Sequence, residues 1–378
     1  MLIGDMLLPA TQPAGEGCAF ASSYARRMST TPTYFSRFGG LWTDRDDAPQ
    51  ELERRLDDGR ISESQAELLQ EWMADGRVVL TGAVPVEAID RFEADITRAF
   101  TEGDARLLVE RDGQKSPLTP GTPTHLARVV DAYAHYESAR ELLFAPAIVE
   151  FLSLVFEAPP LLFQSLSFDK GSQQAMHQDT AYVVTSSPLQ LAAAWIALED
   201  VTPGSGELMY YRGSHRLPEY AFGGERKHWD RERDGEGPHE EWAAALESNA
   251  LAMGLEREVF LPAKGDVLIW AADLAHGGSP VEDGARSRRS LVGHYCPDGV
   301  QPHYFSWNPR HAKQAGDDRV QYASSYYDVA PEPEPEAAEP AEAPAPAPDP
   351  EPLAAAEPPA ARRRSGGLVA RVRGLLDR

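Results

Sequence analysis

The chain has 378 residues, of which 42% are apolar, and its formal net charge is −23. This composition supplies a core for one large domain or two modest ones, and no run approaches the roughly 18 consecutive apolar residues of a membrane span. The acidic charge argues against nonspecific binding to nucleic acid or anionic lipid. Two cysteines, Cys18 and Cys296, give neither a disulfide framework nor a cysteine-based metal site, so we predict a cytoplasmic protein.

Both ends of the chain differ in composition from residues 28–330, which we expect to form the folded domain. Residues 1–27 are weakly patterned, and the run from Met28 is typical of a natural start, which predicts either disorder or an upstream start for the first 27 residues. No basic region precedes their apolar patch, so we predict no signal peptide. Residues 331–361 are rich in proline, glutamate and alanine, which predicts a disordered linker. Residues 362–378 contain six arginines and place apolar residues at helical spacing. They form either a basic amphipathic tail that contacts a protein partner or a membrane surface, or a solvated tail.

The first part of the predicted domain, from about residue 45 to 157, has a helical pattern. One helix is predicted in ISESQAELLQEWMADG, with Ser62 or Ser64 as its N-cap and Gly76 just past its end. A pair of helices is predicted in SARELLFAPAIVEFLSLVF, broken at Pro146. The only strand expected in this part is VVL at 78–80.

From residue 161 onward, short strands alternate with turn signals. Five segments carry this pattern: LLFQSLSFD, QLAAAWIAL, GELMYYRG, EVFLPAKGDVLIW and RSLVGHYC. Strands that follow a set of helices predict a β-sandwich or barrel with helical packing. A charged, helix-prone insertion is predicted at 217–256.

The stretch AMHQDTAYV places His177 and Asp179 two residues apart. In a β-strand, both side chains would point to one face, where they form either a metal site or an ordinary hydrogen-bonded pair. His276 is the best third ligand, because it follows an apolar strand and precedes what reads as a Gly-Gly turn. Two imidazoles and one carboxylate form the facial triad of non-haem Fe(II) oxygenases.

Arg288 and Arg289 stand where the next strand begins, so they point to opposite faces. Only one of them reaches the interior, and a buried guanidinium requires an anion. A small dicarboxylate would meet that need through a bidentate ion pair.

Four runs, considered together, resemble the phytanoyl-CoA dioxygenase family over roughly residues 60–300: QSLSFDKGSQQAMHQDTAYV, WIALEDVTPGSGELMYYRGSHR, GDVLIWAADLAHGGSP and RSRRSLVGHY. The resemblance implies a mainly β fold with a helical flank, built on a double-stranded β-helix (a cupin-like jelly roll). It also implies an oxygenase that uses Fe(II), 2-oxoglutarate and O2, and that hydroxylates a small molecule.

The resemblance also assigns roles to individual residues. His177, Asp179 and His276 match the iron ligands, and Arg288, preferred to Arg289, matches the arginine that holds 2-oxoglutarate. Two further residues match positions near the co-substrate, namely Trp195 and Gln164. Two more are expected on the substrate side, namely Tyr182 and Gln174.

Some features depart from the family or have simpler explanations. Relatives often carry a small polar residue two positions after the distal histidine, where this chain has Gly278 followed by Ser279. His294 either lines the barrel or, as we prefer, is a satisfied core histidine, and His215 is expected to stabilise a turn. Two other functions remain open: a non-catalytic, cupin-like module that binds a metal or ligand, and an interaction protein directed by its tail.

Overall fold

The structure, a computed structural model, describes residues 33–111, 113–303, 314–315 and 319–329. The predicted disorder at 1–27, the linker at 331–361 and the tail at 362–378 lie outside these residues. Seven α-helices occur in the described part of the chain: α1 (Ala48–Asp57), α2 (Glu63–Asp75), α3 (Val86–Glu102), α4 (Glu137–Leu143), α5 (Pro146–Phe156), α6 (Arg231–Asp234) and α7 (Gly237–Ala252). None of the described helices is long and apolar enough to cross a membrane.

The strands of the described residues form two sheets. Their bounds are β1 (Arg77–Leu80), β2 (Asp104–Arg111), β3 (Gln114–Leu118), β4 (Arg128–Val130), β5 (Pro160–Phe168), β6 (Ala192–Ala197), β7 (Leu208–Tyr211), β8 (Arg257–Phe260), β9 (Val267–Ala271), β10 (His276–Gly278), β11 (Ser290–Pro297), β12 (Gln314–Ala315) and β13 (Gln321–Tyr322). The larger sheet has the order β1-β9-β6-β11-β5-β4-β2-β3, with β13 also pairing β5 and β12 pairing β13, and the smaller has the order β10-β7-β8.

Strand β6 shows why the large sheet is buried on both faces. All six of its residues are buried, but successive side chains point to opposite sides. Ala194 and Ile196 join the cluster formed with the helices, whereas Trp195 joins a cluster that includes Tyr210 of β7 and Phe260 of β8. The helices therefore cover one face of the large sheet, and the small sheet covers the other.

This arrangement confirms the predicted fold class, which is mainly β with a helical flank around a double-stranded β-helix. Helix α2 begins after Ser62, whose side chain accepts a hydrogen bond from the backbone N–H of Gln65, and ends at Gly76 with φ +74°. The predicted helix pair becomes α4 and α5, and Pro146 is the first residue of α5, where its missing N–H is tolerated.

The prediction that 45–157 is essentially helical is wrong for residues 104–130. Strands β2 and β3 form a hairpin at 104–118, and β4 joins β2 to β5. Gly113, which has φ +76°, lies in the turn of this hairpin. An Asp-Gly pair is a hairpin signal, but the charged side chains around it obscure the alternation expected of a strand.

Candidate metal centre

The backbone joins the two histidines of the site directly. His177 and His276 form an isolated antiparallel bridge, with N–H···O distances of 2.8 and 2.9 Å in the two directions. His276 opens β10, whereas His177 lies in an irregular segment after β5. Their rings lie 4.3 Å apart between centroids. This pair of hydrogen bonds places both imidazoles at one edge of the small sheet.

Asp179 joins this pair from a turn. It is the first residue of a 3-10 helix, Asp179–Ala181, so the assumption that AMHQDTAYV is a strand is wrong, and the turn directs the carboxylate towards the imidazoles. Asp179 Oδ1 lies 3.9 Å from His177 Nε2 and 3.6 Å from His276 Nε2. One potential ligand atom from each of the three residues lies within 4.8 Å of the others.

The hydrogen bonds of the imidazoles define which nitrogen can bind a metal. His177 Nδ1 lies 2.9 Å from the carbonyl of Ala175, and His276 Nδ1 lies 2.9 Å from the carbonyl of Leu274. A carbonyl only accepts, so each Nδ1 carries the proton and each Nε2 has a free lone pair. Burial, reinforced by the neighbouring His276, lowers the pKa of His177 to about 3, so this ring is neutral at ordinary pH.

The carboxylate of Asp179 is held from its other side. Trp270 Nε1 donates to Asp179 Oδ2 over 2.8 Å, and His294 Nε2 lies 3.5 Å from the same oxygen. Burial alone would raise the pKa of Asp179, but His276 and His294 outweigh it and hold that pKa below its usual range. The ionised Oδ1 is thus left for a cation. This donor set fits Fe(II), since it offers two neutral imidazoles and one carboxylate with an ordered outer shell.

Arg288 reaches into the cavity that contains the three ligands. Its guanidinium lies 5.5 Å from the ring centroid of Trp195 and 5.9 Å from that of Phe168. The residue is 3% exposed, its Nε has no hydrogen-bond partner, and no ion pair reaches it from the described residues. Burial lowers its pKa to about 10. The charge of Glu207 acts in the opposite direction. A buried cation that no carboxylate reaches in a direct ion pair fits a site for the carboxylate of a co-substrate.

Arg288 and Arg289 lie just before β11, which begins at Ser290 rather than at the arginines as expected, and Arg289 points to the other side of the sheet. Its guanidinium pairs with Glu93 and Glu199, Arg289 Nη2 lying 2.9 Å from Glu199 Oε2. Arg289 is therefore satisfied on the helix side of the sheet, and only Arg288 faces the metal cavity.

Of the other two residues expected near the co-substrate, one lines the cavity and one does not. Trp195 lines the same cavity as Arg288. Gln164 lies on β5 opposite His294 of β11 and does not line that cavity, and its Oε1 is buried without a partner.

Of the two residues expected on the substrate side, Gln174 lines the cavity, whereas Tyr182 does not and lies beside His177. Tyr182 is 39% exposed, its ring lies 5.7 Å from that of His177, and its hydroxyl lies 2.7 Å from His239 Nε2 on α7. The predicted insertion at 217–256 therefore packs, through α7, against the ring that lies beside His177.

The expected Gly-Gly turn is absent, because Gly277 and Gly278 lie within β10. A Cβ on Gly277 would stand 2.8 Å from the carbonyl oxygen of Gln174, and one on Gly278 would stand 2.8 Å from the backbone nitrogen of Gln173. The segment that leads to His177 thus crosses directly over this strand, which requires glycine. Ser172 Oγ lies 3.2 Å from where the Cβ on Gly278 would be, so a hydroxyl is present there even though residue 278 has none.

The sequence did not identify the two side chains that contact Asp179 Oδ2. His294 lines the cavity beside Asp179 instead of being a satisfied core residue, since its Nδ1 is buried without a partner. Trp270 received no role at all. Both residues lie at inward-facing positions of predicted strands. The alternation of side chains along those strands is the sequence signal that could have identified them. His215 lies in a 3-10 turn, Ser214–Arg216, as expected of a turn residue.

Comparisons with known proteins agree with this site. The family model described as phytanoyl-CoA dioxygenase matches residues 72–290, which is more than half of the chain. No curated protein matches the chain.

Several solved structures are similar to the chain at low identity. The epimerase SnoN in complex with Fe3+, alpha-ketoglutarate and nogalamycin RO is 21% identical, with 73% of this chain and 95% of that chain covered and a TM-score of 0.47. The carbocyclase SnoK from nogalamycin biosynthesis is 17% identical, with 65% and 87% covered and a TM-score of 0.46. EctD from S. alaskensis with bound Fe is 18% identical, with 63% and 77% covered and a TM-score of 0.44.

The extent of the family match and the His177, Asp179 and His276 cluster confirm the expected dependence on iron, 2-oxoglutarate and O2. The chain belongs to the phytanoyl-CoA dioxygenase family of Fe(II)- and 2-oxoglutarate-dependent oxygenases.

Proposed function

We propose that the protein hydroxylates a small molecule. The observation that carries this proposal is the shared cavity, in which three metal-binding side chains face the unpaired guanidinium of Arg288. Three ligands on one side leave positions for a chelating co-substrate and for O2. The aspartate is also informative, because halogenating relatives lack this carboxylate to make room for a halide, whereas Asp179 is present here.

Each residue of the site has a role in this proposal. His177, Asp179 and His276 hold Fe(II), which together with 2-oxoglutarate and O2 supplies the oxidising chemistry. Arg288 binds the distal carboxylate of 2-oxoglutarate, and Trp195 packs against the guanidinium, so the co-substrate is fixed in one orientation.

The surroundings protect the site. Trp270 and His294 engage Asp179 Oδ2, which keeps Oδ1 directed towards the metal. The buried walls exclude water from the reacting centre. Tyr182 and Gln174 contact the substrate at the entrance, and Ser172 supplies the hydroxyl that Gly278 lacks. Gln164 stays a prediction for the co-substrate side.

A screen for substrate-stimulated succinate formation tests this function. The purified protein is supplied with Fe(II), 2-oxoglutarate and O2, and candidate acyl chains, amino-acid derivatives and secondary metabolites are added one at a time. We expect at least one compound to raise succinate formation and to gain one oxygen atom by mass spectrometry, and Asp179→Ala to abolish both. Succinate formation that no compound stimulates, or a product without added oxygen, would contradict the proposed hydroxylation.

A further inference from the structure

Lys227 is a buried cation that belongs to the insertion at 217–256. It is 5% exposed, and its Nζ lies 2.6 Å from Asp273 Oδ2. Burying a lysine is costly unless it is paired, and it makes no direct contact with the three proposed iron ligands. The position of its partner therefore suggests what this ion pair does.

Asp273 connects the two segments that carry the metal ligands. It lies three residues before His276, and its Oδ1 accepts a hydrogen bond of 2.5 Å from Thr180 Oγ1. Its backbone carbonyl accepts a hydrogen bond of 2.8 Å from Gln178 Nε2. Gln178 and Thr180 flank Asp179 on both sides. Asp273 thus ties the turn that presents Asp179 to the loop that leads into His276.

Lys227 completes this connection. One carboxylate oxygen of Asp273 accepts from Thr180 and the other from Lys227, so the two contacts together fix the orientation of the carboxylate. A second bond reinforces the link, since the backbone N–H of Trp229 donates to the carbonyl of Ala181 over 3.0 Å. The insertion therefore holds the Asp179 turn directly at Ala181 and indirectly through Asp273.

We propose that Lys227 is a positioning residue for the metal centre: by holding Asp273, it keeps the Asp179 turn and the His276 strand in the relative position that binds iron. Without the cation, Asp273 Oδ2 loses its partner in a side chain that is only 13% exposed, and the carboxylate turns away from Thr180. Asp179 Oδ1 then no longer stays near both imidazoles. The proposal rests on the proposed function only in that the three ligands bind a metal.

Binding of Co(II) alone, measured by calorimetry on the full-length protein, tests this role without turnover. We expect Lys227→Met to weaken Co(II) binding by up to about 10-fold, the lower end of what loss of a group bonded to a ligand causes, because Lys227 acts through Asp273. Lys227→Arg keeps the charge and should recover most of the affinity. Thr180→Val cuts the same connection on its other side and should weaken binding in the same direction.

Lys264→Met is the matched control, because Lys264 also pairs with acidic residues, Asp90 and Glu93, but on the helix side of the sheet. It should leave Co(II) affinity unchanged. If Lys227→Met lowers the melting temperature but leaves Co(II) affinity unchanged, Lys227 only stabilises the insertion and the inference fails. If Lys227→Met does not fold, Thr180→Val decides, and unchanged affinity there overturns the proposal. If the wild-type protein binds no Co(II), the proposed function itself is refuted.

Discussion

Replacing Arg288 with methionine should separate stability from co-substrate binding. Arginine in water has a pKa of about 12.5, and burial lowers that of Arg288 to about 10. This pKa difference corresponds to roughly 3 kcal/mol. The buried charge therefore lowers the free energy of unfolding of the co-substrate-free protein by about that amount. Methionine fills a similar shape without the charge. We therefore expect Arg288→Met to keep or increase the free energy of unfolding, by up to about 3 kcal/mol.

The same substitution should remove the anchor of 2-oxoglutarate. Charge-assisted hydrogen bonds contribute about 1.5–3 kcal/mol each, so the loss of a bidentate pair should weaken 2-oxoglutarate binding by roughly 100-fold or more. The free energy of unfolding is measured by urea denaturation without co-substrate, and the affinity by anaerobic titration of the Fe(II)-loaded protein.

Arg289→Met is the control for this experiment. It removes the ion pairs with Glu93 and Glu199 on the opposite face, so it should leave the 2-oxoglutarate affinity unchanged. If Arg288→Met destabilises the protein by several kcal/mol and binds 2-oxoglutarate normally, the guanidinium has a structural role and our reasoning is refuted.

Three further substitutions test other parts of the account. Trp270→Phe keeps the ring but removes the donor to Asp179 Oδ2, and we expect a 10–100-fold weaker Fe(II) affinity by anaerobic calorimetry. Gly76→Ala forces a side chain into φ +74° with its Cβ 2.4 Å from His215 Nδ1, so chemical denaturation should show a loss of at least about 2 kcal/mol. Burial raises the pKa of Asp131 to about 7, so the native state retains a proton that the unfolded chain loses near pH 4, and the free energy of unfolding falls between pH 4 and 7. Asp131→Asn should reduce this fall by up to about 4 kcal/mol.

Each of these three predictions has an outcome that would contradict it. Unaltered Fe(II) binding in Trp270→Phe would mean that the indole does not orient the ligand. Gly59 has φ +67° and open space around its Cβ position, so Gly59→Ala should cost less than Gly76→Ala, and equal losses would refute the steric explanation. An identical pH dependence of stability in wild type and Asp131→Asn would show that this carboxyl group does not titrate in that range.

Local sequence signals were sufficient where the structure is local. Ser62 and Gly76 delimit α2 because a cap and a left-handed residue act within one turn. Arg288 and Arg289 lie on opposite faces because the extended backbone just before β11 continues the alternation of the strand. The spacing of His177 and Asp179 identified the right pair for a partly wrong reason, since a 3-10 turn rather than a strand brings them together.

Contacts between distant parts of the chain could not be read from the sequence. His294 reaches Asp179 only because β11 and the Asp179 turn meet in the folded protein. The ion pair of Lys227 with Asp273 depends on how the insertion folds back over the site. In both cases the sequence shows the residue types, but the partner is defined by the tertiary fold.

The most direct measurement of the central claim is anomalous diffraction at the iron edge from crystals prepared anaerobically with Fe(II) and 2-oxoglutarate. We predict one anomalous peak at bonding distance from His177 Nε2, Asp179 Oδ1 and His276 Nε2, with a carboxylate of the co-substrate on Arg288. Iron bound elsewhere, or 2-oxoglutarate absent from Arg288, would contradict the assignment of this cavity as the oxygenase site.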